Sequence, residues 1–236
     1  MNPHAIQVRE VKEMTVNIAT VYQRSVSPGP QPNGLQAADD GLWYIDQRNN
    51  KVYKLDWDSG EEILSYDTTT EHASGITIGD GFVWVSSTFG LTIHKIDMQT
   101  GKTIEELPTP GVGTVAFGEG GRPSGAHGLE WRDDKLWIAV PPSQMIYQVD
   151  PKTSEVIHEI KAPGLRVHGI AFNEDGHLWS ADTASGVVSL LDVSDGRVIN
   201  YMRVPWPTEV HGLTIDSSQA LWYCDAESRA IGRLGL

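Results

Sequence analysis

Three histidines stand at the same place in a repeated motif, where an imidazole could act as an acid, a base or a metal ligand. His127, His168 and His211 are each followed by glycine and then by leucine or isoleucine. Histidine titrates nearest to neutral pH, and its ring nitrogens also bind divalent metals. Histidines at such positions can equally hydrogen-bond to backbone and water in a polar channel, so the pattern leaves a structural role open.

Carboxylates accompany two of these histidines. Asp182 and Asp225 each lie fourteen positions after a motif histidine, and Glu209 lies two positions before His211. A carboxylate beside an imidazole fixes its tautomer and raises its basicity, or binds a hard cation itself. We therefore predict a divalent metal held by Glu209, Asp225 and a histidine such as His127. Carboxylates favour Mg²⁺ and imidazoles favour Zn²⁺, and a site of three histidines leaves iron open.

The motif belongs to a long-period repeat. It occurs five times, and a tryptophan follows each copy by 10 or 11 positions. The copies start 41, 53, 41 and 43 residues apart: Asn33-Gly34-Leu35, Ser74-Gly75-Ile76, His127-Gly128-Leu129, His168-Gly169-Ile170 and His211-Gly212-Leu213. Each unit contains four short apolar segments separated by Gly, Asp and Asn turns, with no helical period between them. Four strands in about 40–45 residues indicate a propeller blade.

The chain ends before the last blade has a fourth strand. Thr15–Arg24 has the composition of a strand and precedes the first blade. It can complete the fifth blade and remove the unpaired edge that an open ring would expose. The sequence thus predicts an all-β, five-bladed β-propeller with four-stranded blades, closed by an N-terminal strand, in a single domain of residues 1–236.

This architecture predicts where the motif residues meet. The innermost strand of a blade starts at one rim of the channel, and the second strand returns to that rim. Imidazoles from successive blades should therefore converge there, with Asp182 opposite His168 and Asp225 opposite His211. The motif glycines and the tryptophans are assigned to packing, because a glycine in a strand marks close backbone approach and tryptophan supplies apolar area.

Two more features are expected at this rim. Pro108–Gly125 is the longest connection and contains six glycines, so it is either a lid or a tolerated insertion. Arg122 within it is placed to meet an anionic group of the substrate. His72, two residues before a motif serine, is a further candidate for substrate binding, as is Asp182.

Composition excludes several classes of function. Eighteen Lys and Arg against 31 Asp and Glu give a net charge of −13, which disfavours nucleic acid and anionic membranes as partners. The single cysteine, Cys224, cannot form an internal disulfide, and no apolar run reaches the length of a membrane span. Residues 1–20 lack the apolar core of a secretory signal. We expect a cytoplasmic protein that acts on a small molecule.

The repeat resembles the streptogramin lyase family of propellers, within the wider group that includes gluconolactonase-like and NHL-type repeats. The resemblance rests on the pattern VHGIAFNEDGHLWSADTASGVVSLLDVSDGRVINYMRVP and extends over residues 33–236. The family's catalytic motif is Glu-x-His, followed by a carboxylate one hairpin later and preceded by a histidine one blade earlier. Glu209, His211, Asp225 and His168 match these positions. The family has seven blades and a Glu where this chain has Asp225.

The resemblance implies a Mg²⁺ bound by the carboxylates, His211 as the acid or base and His168 in contact with the substrate. It implies cleavage of a C–O bond by elimination, for which a base removes a proton from carbon while an electrophile stabilises the enolate. A lactonase-type metal-dependent hydrolase is the second interpretation. A propeller that binds a ligand or a protein without catalysis is the third.

Overall fold

The computed structural model describes residues 16–115 and 121–235. Within these ranges every regular element is a strand. Strand β1 is Thr20–Val26. Blade one comprises β2 (Pro32–Ala38), β3 (Gly41–Asp46), β4 (Lys51–Leu55) and β5 (Glu62–Asp67). Blade two comprises β6 (Ala73–Gly79), β7 (Phe82–Ser87), β8 (Thr92–Asp97) and β9 (Thr103–Pro108). No helix in the described part of the chain is long and apolar enough to traverse a bilayer.

The connection to the third blade contains a small hairpin of β10 (Gly113–Thr114) and β11 (Pro123–Ser124). Blade three comprises β12 (Leu129–Arg132), β13 (Lys135–Val140), β14 (Met145–Val149) and β15 (Val156–Lys161). Blade four comprises β16 (Val167–Phe172), β17 (Leu178–Asp182), β18 (Val187–Leu191) and β19 (Val198–Arg203). Blade five contributes β20 (Val210–Ile215), β21 (Leu221–Asp225) and β22 (Ala230–Gly235).

Each blade is an antiparallel four-stranded sheet, so the predicted five-bladed propeller is confirmed. The ring closes through β1, which pairs antiparallel with β22 as the outermost strand of blade five. The closing strand begins and ends later than the predicted Thr15–Arg24, because its pairs run from Thr20 with Gly235 to Val26 with Ala230. Thr15 lies outside the described residues.

The motif glycines form a closed ring of backbone contacts around the axis. A Cβ on Gly75 would overlap the carbonyl oxygen of His127, and a Cβ on Gly128 would overlap that of His168. A Cβ on Gly169 would likewise overlap backbone atoms of blade five, and a Cβ on Gly212 would lie too close to the carbonyl oxygen of Asn33 in blade one. Only glycine lets five inner strands approach so closely, which confirms the packing role assigned to these residues.

The core is divided into five apolar clusters, each between two adjacent blades. Trp84, for example, packs with Leu129 and Leu136 of the next blade. The five repeat tryptophans are all buried: Trp43, Trp84, Trp137, Trp179 and Trp222. Because each cluster needs both of its blades, the packing that stabilises the ring also fixes where the inner strands start. The motif side chains are therefore held at one rim by the whole ring.

Candidate functional site at the histidine rim

The structure brings the three motif histidines together at one mouth of the channel. The ring centroids of His127 and His168 are 4.3 Å apart, and those of His168 and His211 are 4.9 Å apart. Both contacts are edge to face. The three rings thus form a row across the mouth, held by inner strands of three consecutive blades.

Burial keeps the central and last histidines of this row uncharged. Desolvation, followed by the proximity of His127, holds the pKa of His168 well below its usual range. The pKa of His211 is lowered to about 4, mainly by burial. Both rings are therefore neutral at neutral pH. Neither ring nitrogen of His168 has a hydrogen-bond partner among the described residues.

The channel beneath the histidines is nearly closed. The cavity lined by Asn33, Ser74, His168 and His211 has a volume of about 10 Å³. Such a space is about the size needed for one water molecule. Nothing larger than a water molecule fits in this part of the channel.

Glu209 and His211 form the closest acid–base pair at this mouth. Nδ1 of His211 lies 3.1 Å from the main-chain oxygen of Glu209, which can only accept a hydrogen bond, so Nδ1 carries the proton. The lone pair then resides on Nε2, which lies 3.6 Å from Oε1 of Glu209. Burial raises the pKa of Glu209, against the opposing influence of Arg166. The pair offers one unprotonated ring nitrogen, which is less basic than that of a free imidazole, and one carboxyl group whose pKa is raised.

The register at the rim differs from the prediction by one residue. Asp182 pairs with Val167 and Asp225 pairs with Val210, one position before each motif histidine. A β-bulge at each motif causes the shift.

The two aspartates hold backbone rather than the histidine rings. Oδ2 of Asp225 accepts a hydrogen bond from the N–H of Glu209 at 3.1 Å, and its Oδ1 accepts from Glu227 and Ser228. Oδ1 of Asp182 accepts from the N–H of Arg166 at 3.0 Å. Their geometry makes both residues positioning groups for the loop that precedes the inner strand of their own blade.

The same arrangement recurs in other blades, which indicates that it belongs to the repeat. Asp46 accepts from the N–H of Gln31 in blade one, and Ser87 accepts from the N–H of Glu71 in blade two. Blade three has Val140 at this position, which has no side-chain acceptor. We call these contacts rim latches. In each case the residue at the end of a blade's second strand holds one backbone N–H of the loop that precedes the inner strand of the same blade.

The predicted metal ligands do not fit a cation as they are arranged. Both oxygens of Asp225 already accept backbone hydrogen bonds, Oδ2 from Glu209 and Oδ1 from Glu227 and Ser228. Within residues 16–115 and 121–235, no three His, Cys, Asp or Glu side chains are grouped so that they could hold a metal ion. The metal remains a prediction.

Arg166 is a rim residue that the sequence interpretation missed. Its Nη1 lies 4.0 Å from Oε1 of Glu209, and its Nε is buried without a partner in the described part of the chain. It precedes His168 by two positions, as Glu209 precedes His211. A comparison of that position between blades would have identified it, since both side chains are set by a rim latch.

Two other predicted residues are engaged with protein groups. His72 has a φ of 57° and stacks on Phe89, with ring centroids 4.0 Å apart. The guanidinium carbon of Arg122 lies 4.3 Å from the centroid of the same Phe89 ring. Its Nη2 forms an ion pair with Oε1 of Glu71 at 3.0 Å. Arg122 is thus paired with a carboxylate, and its contact with a substrate stays a prediction. Residues 116–120 of the predicted lid lie outside the described residues.

Comparisons with known proteins support the fold. No family model matches the sequence, and no curated protein matches it. Among solved structures, Myxococcus xanthus glutaminyl cyclase aligns with a TM-score of 0.75 at 10% identity, covering 94% of this chain and 98% of that one. A streptogramin B lyase structure aligns at 0.56 and 17% identity, covering 92% and 97%. Virginiamycin B lyase from Staphylococcus aureus aligns at 0.54 and 19% identity, covering 91% and 70%.

At these identities the alignments show a shared propeller fold and do not identify a reaction. The resemblance to streptogramin lyase propellers is confirmed at that level. The chain is a five-bladed β-propeller whose structural neighbours are enzymes.

Proposed function

We propose that this protein is a lyase that cleaves a C–O bond by acid–base elimination in a small oxygenated carboxylate, bound at the histidine rim. The observation that carries the proposal is the contact between Nε2 of His211 and Oε1 of Glu209 at 3.6 Å, with Arg166 4.0 Å from the same oxygen. A base, an acid and a fixed positive charge thus face one point above a closed channel.

His211 supplies the base. Its Nδ1–H is held by a main-chain oxygen, so Nε2 is the free basic nitrogen, and burial keeps the ring neutral. Nε2 would take the proton from the carbon next to the substrate's carboxyl group. The electrons of that C–H bond form the C=C bond as the neighbouring C–O bond breaks, and the electrons of the C–O bond leave on oxygen.

Glu209 supplies the acid. Burial raises its pKa above that of an ordinary glutamate, and in the proposed mechanism the protonated carboxyl group donates its proton to the departing oxygen. After product release, Nε2 holds a proton and Oε1 has lost one, and the 3.6 Å between them lets the proton return. The pair then regains its starting state without another cofactor.

Arg166 supplies the positive charge. As the proton leaves carbon, negative charge builds on the substrate's carboxyl oxygens, and a guanidinium nearby stabilises it. The rim latch from Asp182 fixes the backbone of Arg166, so this charge is in place before the reaction starts.

We further propose a cytoplasmic location, consistent with the acidic composition and single cysteine.

The test uses the acetyl ester of β-hydroxy-β-phenylpropionate, in water enriched in heavy oxygen. Elimination yields cinnamate and unlabelled acetate. Hydrolysis yields β-hydroxy-β-phenylpropionate and labelled acetate, and would replace the proposal with the lactonase-type interpretation. The third outcome is tight binding without turnover, both for this ester and for a panel of analogues with other β-oxygen leaving groups. That result would replace the lyase proposal with a propeller that binds a ligand without catalysis.

A further inference from the structure

An apolar groove lies on the same rim, beside the candidate site. It has a volume of about 180 Å³ and opens between blades three and four. Its walls are Val115, Pro141, Pro142 and Leu165, with Arg166 among its lining residues. Leu165 is 56% exposed, although it is a large apolar side chain. The groove thus joins an uncovered apolar surface to the cation of the site.

The charge of Arg166 is only partly compensated. Oε1 of Glu209 lies 4.0 Å from Nη1, which is longer than a hydrogen bond. Nε is buried and has no partner among the described residues. The Arg166 side chain is 23% exposed, so an acceptor on a ligand in the groove can reach the exposed part of the guanidinium. A carboxylate matches the planar donor geometry of a guanidinium.

We infer that the site takes a carboxylate carrying an apolar ring or short chain, with the carboxylate on Arg166 and the apolar group in the groove beside Leu165. This inference rests on the proposed function, because it names the substrate class of the same site. A cavity of about 150 Å³ holds a benzene ring, so the groove accommodates one ring and excludes a large apolar body. Glu209 and His211 would then face the carbon next to the carboxylate.

Binding of three matched probes tests the inference by calorimetry. Phenylpropionate carries both features, phenylpropionamide lacks the charge, and propionate lacks the ring. We expect phenylpropionate to bind about tenfold tighter than either partial probe, because one charge-assisted hydrogen bond and one buried ring are each worth about a factor of ten. Equal affinity for acid and amide would overturn the inference, as would equal affinity for phenylpropionate and propionate.

Variants locate the two contacts. Arg166→Gln should remove the preference for the acid over the amide, and Leu165→Ser should reduce the preference for phenylpropionate over propionate. Arg48→Gln is the matched control for the charge, since Arg48 is exposed on the same rim outside the groove. Val26→Ser is the control for the apolar contact, since Val26 is 50% exposed at the end of β1. Binding preferences unchanged in Arg166→Gln, or lost equally in Arg48→Gln, would contradict the inference.

The inference and the proposed function fail in different ways. If phenylpropionate binds with the expected preferences but no ester is converted, the ligand class stands and the lyase proposal is wrong. If cinnamate forms while Arg166→Gln leaves KM for the ester unchanged, the elimination stands and the assignment of the groove is wrong.

Discussion

Asp225 accepts a hydrogen bond from the main-chain N–H of Glu209 at 3.1 Å, and this contact ties the second strand of blade five to the loop that carries the candidate acid. Asp182 holds Arg166 in the same way in blade four. The rim latch is thus a structural device of the repeat. In two blades it positions side chains that face His211.

Removing the latch should affect the reaction more than binding. In Asp225→Ala the loop of Glu209 loses its anchor, so we expect kcat to fall about tenfold to a hundredfold with a smaller change in KM. Asp225→Asn should restore part of kcat, because its amide oxygen can still accept. Asp46→Ala is the control, since it breaks the same latch in blade one and leaves the latch of Glu209 intact. Equal kinetic losses in Asp46→Ala would show a general effect on the fold.

His211→Ala should abolish turnover and leave the thermal midpoint nearly unchanged. The variant removes Nε2, and the lost ring makes a single hydrogen bond with the described residues, to the main-chain oxygen of Glu209. Turnover and melting temperature measured on the same preparation check this. A large fall in melting temperature with normal residual activity would show that His211 has a structural role.

Acid should destabilise the protein through His211. Its pKa is lowered from 6.5 to about 4 in the folded state, so the unfolded chain binds this proton more readily. The stability that depends on the neutral ring is complete above pH 6.5 and is lost as pH falls from there towards 4. The loss is about 3 kcal/mol on the scale of roughly 1.4 kcal/mol per pKa unit. Unfolding midpoints between these pH values should fall less in His211→Gln, and parallel curves for the two proteins would contradict this.

Chelation should leave turnover unchanged, because the carboxylate of Asp225 is already occupied by backbone N–H groups. Metal content of the purified protein and activity after treatment with a chelator check this. Loss of activity that Mg²⁺ or Zn²⁺ restores would show that Asp225 leaves its latch to bind a cation. It would then establish the metal site expected from the sequence.

Gly128→Ala should destabilise the ring severely. Its Cβ would overlap the carbonyl oxygen of His168, so the inner strands of blades three and four must separate. We expect a loss of about 3 kcal/mol or more, at the upper end for overpacking of a core. Gly125→Ala is the control, because its Cβ would meet Leu91 and Thr109 at 3.4 Å, an ordinary contact. Equal denaturant midpoints for the two variants would contradict the close approach.

The sequence by itself determined the architecture. The period of the motif and its tryptophans predicts five blades, and the shortened last unit predicts closure by an N-terminal strand. The same alignment places His127, His168 and His211 at one rim. These features could be read from the chain because each repeat carries its own turns and apolar pattern, and neighbouring blades need only pack against each other.

Only the tertiary structure decided what the carboxylates do. The β-bulge at the motif moves Asp182 and Asp225 one position away from the histidines, so they hold the loops of Arg166 and Glu209. Arg166 enters the site for the same reason. A shift of one residue reverses which face of a strand a side chain occupies. This register shift accompanies the close approach of neighbouring inner strands. The sequence of a single repeat does not reveal that approach, because it depends on two blades.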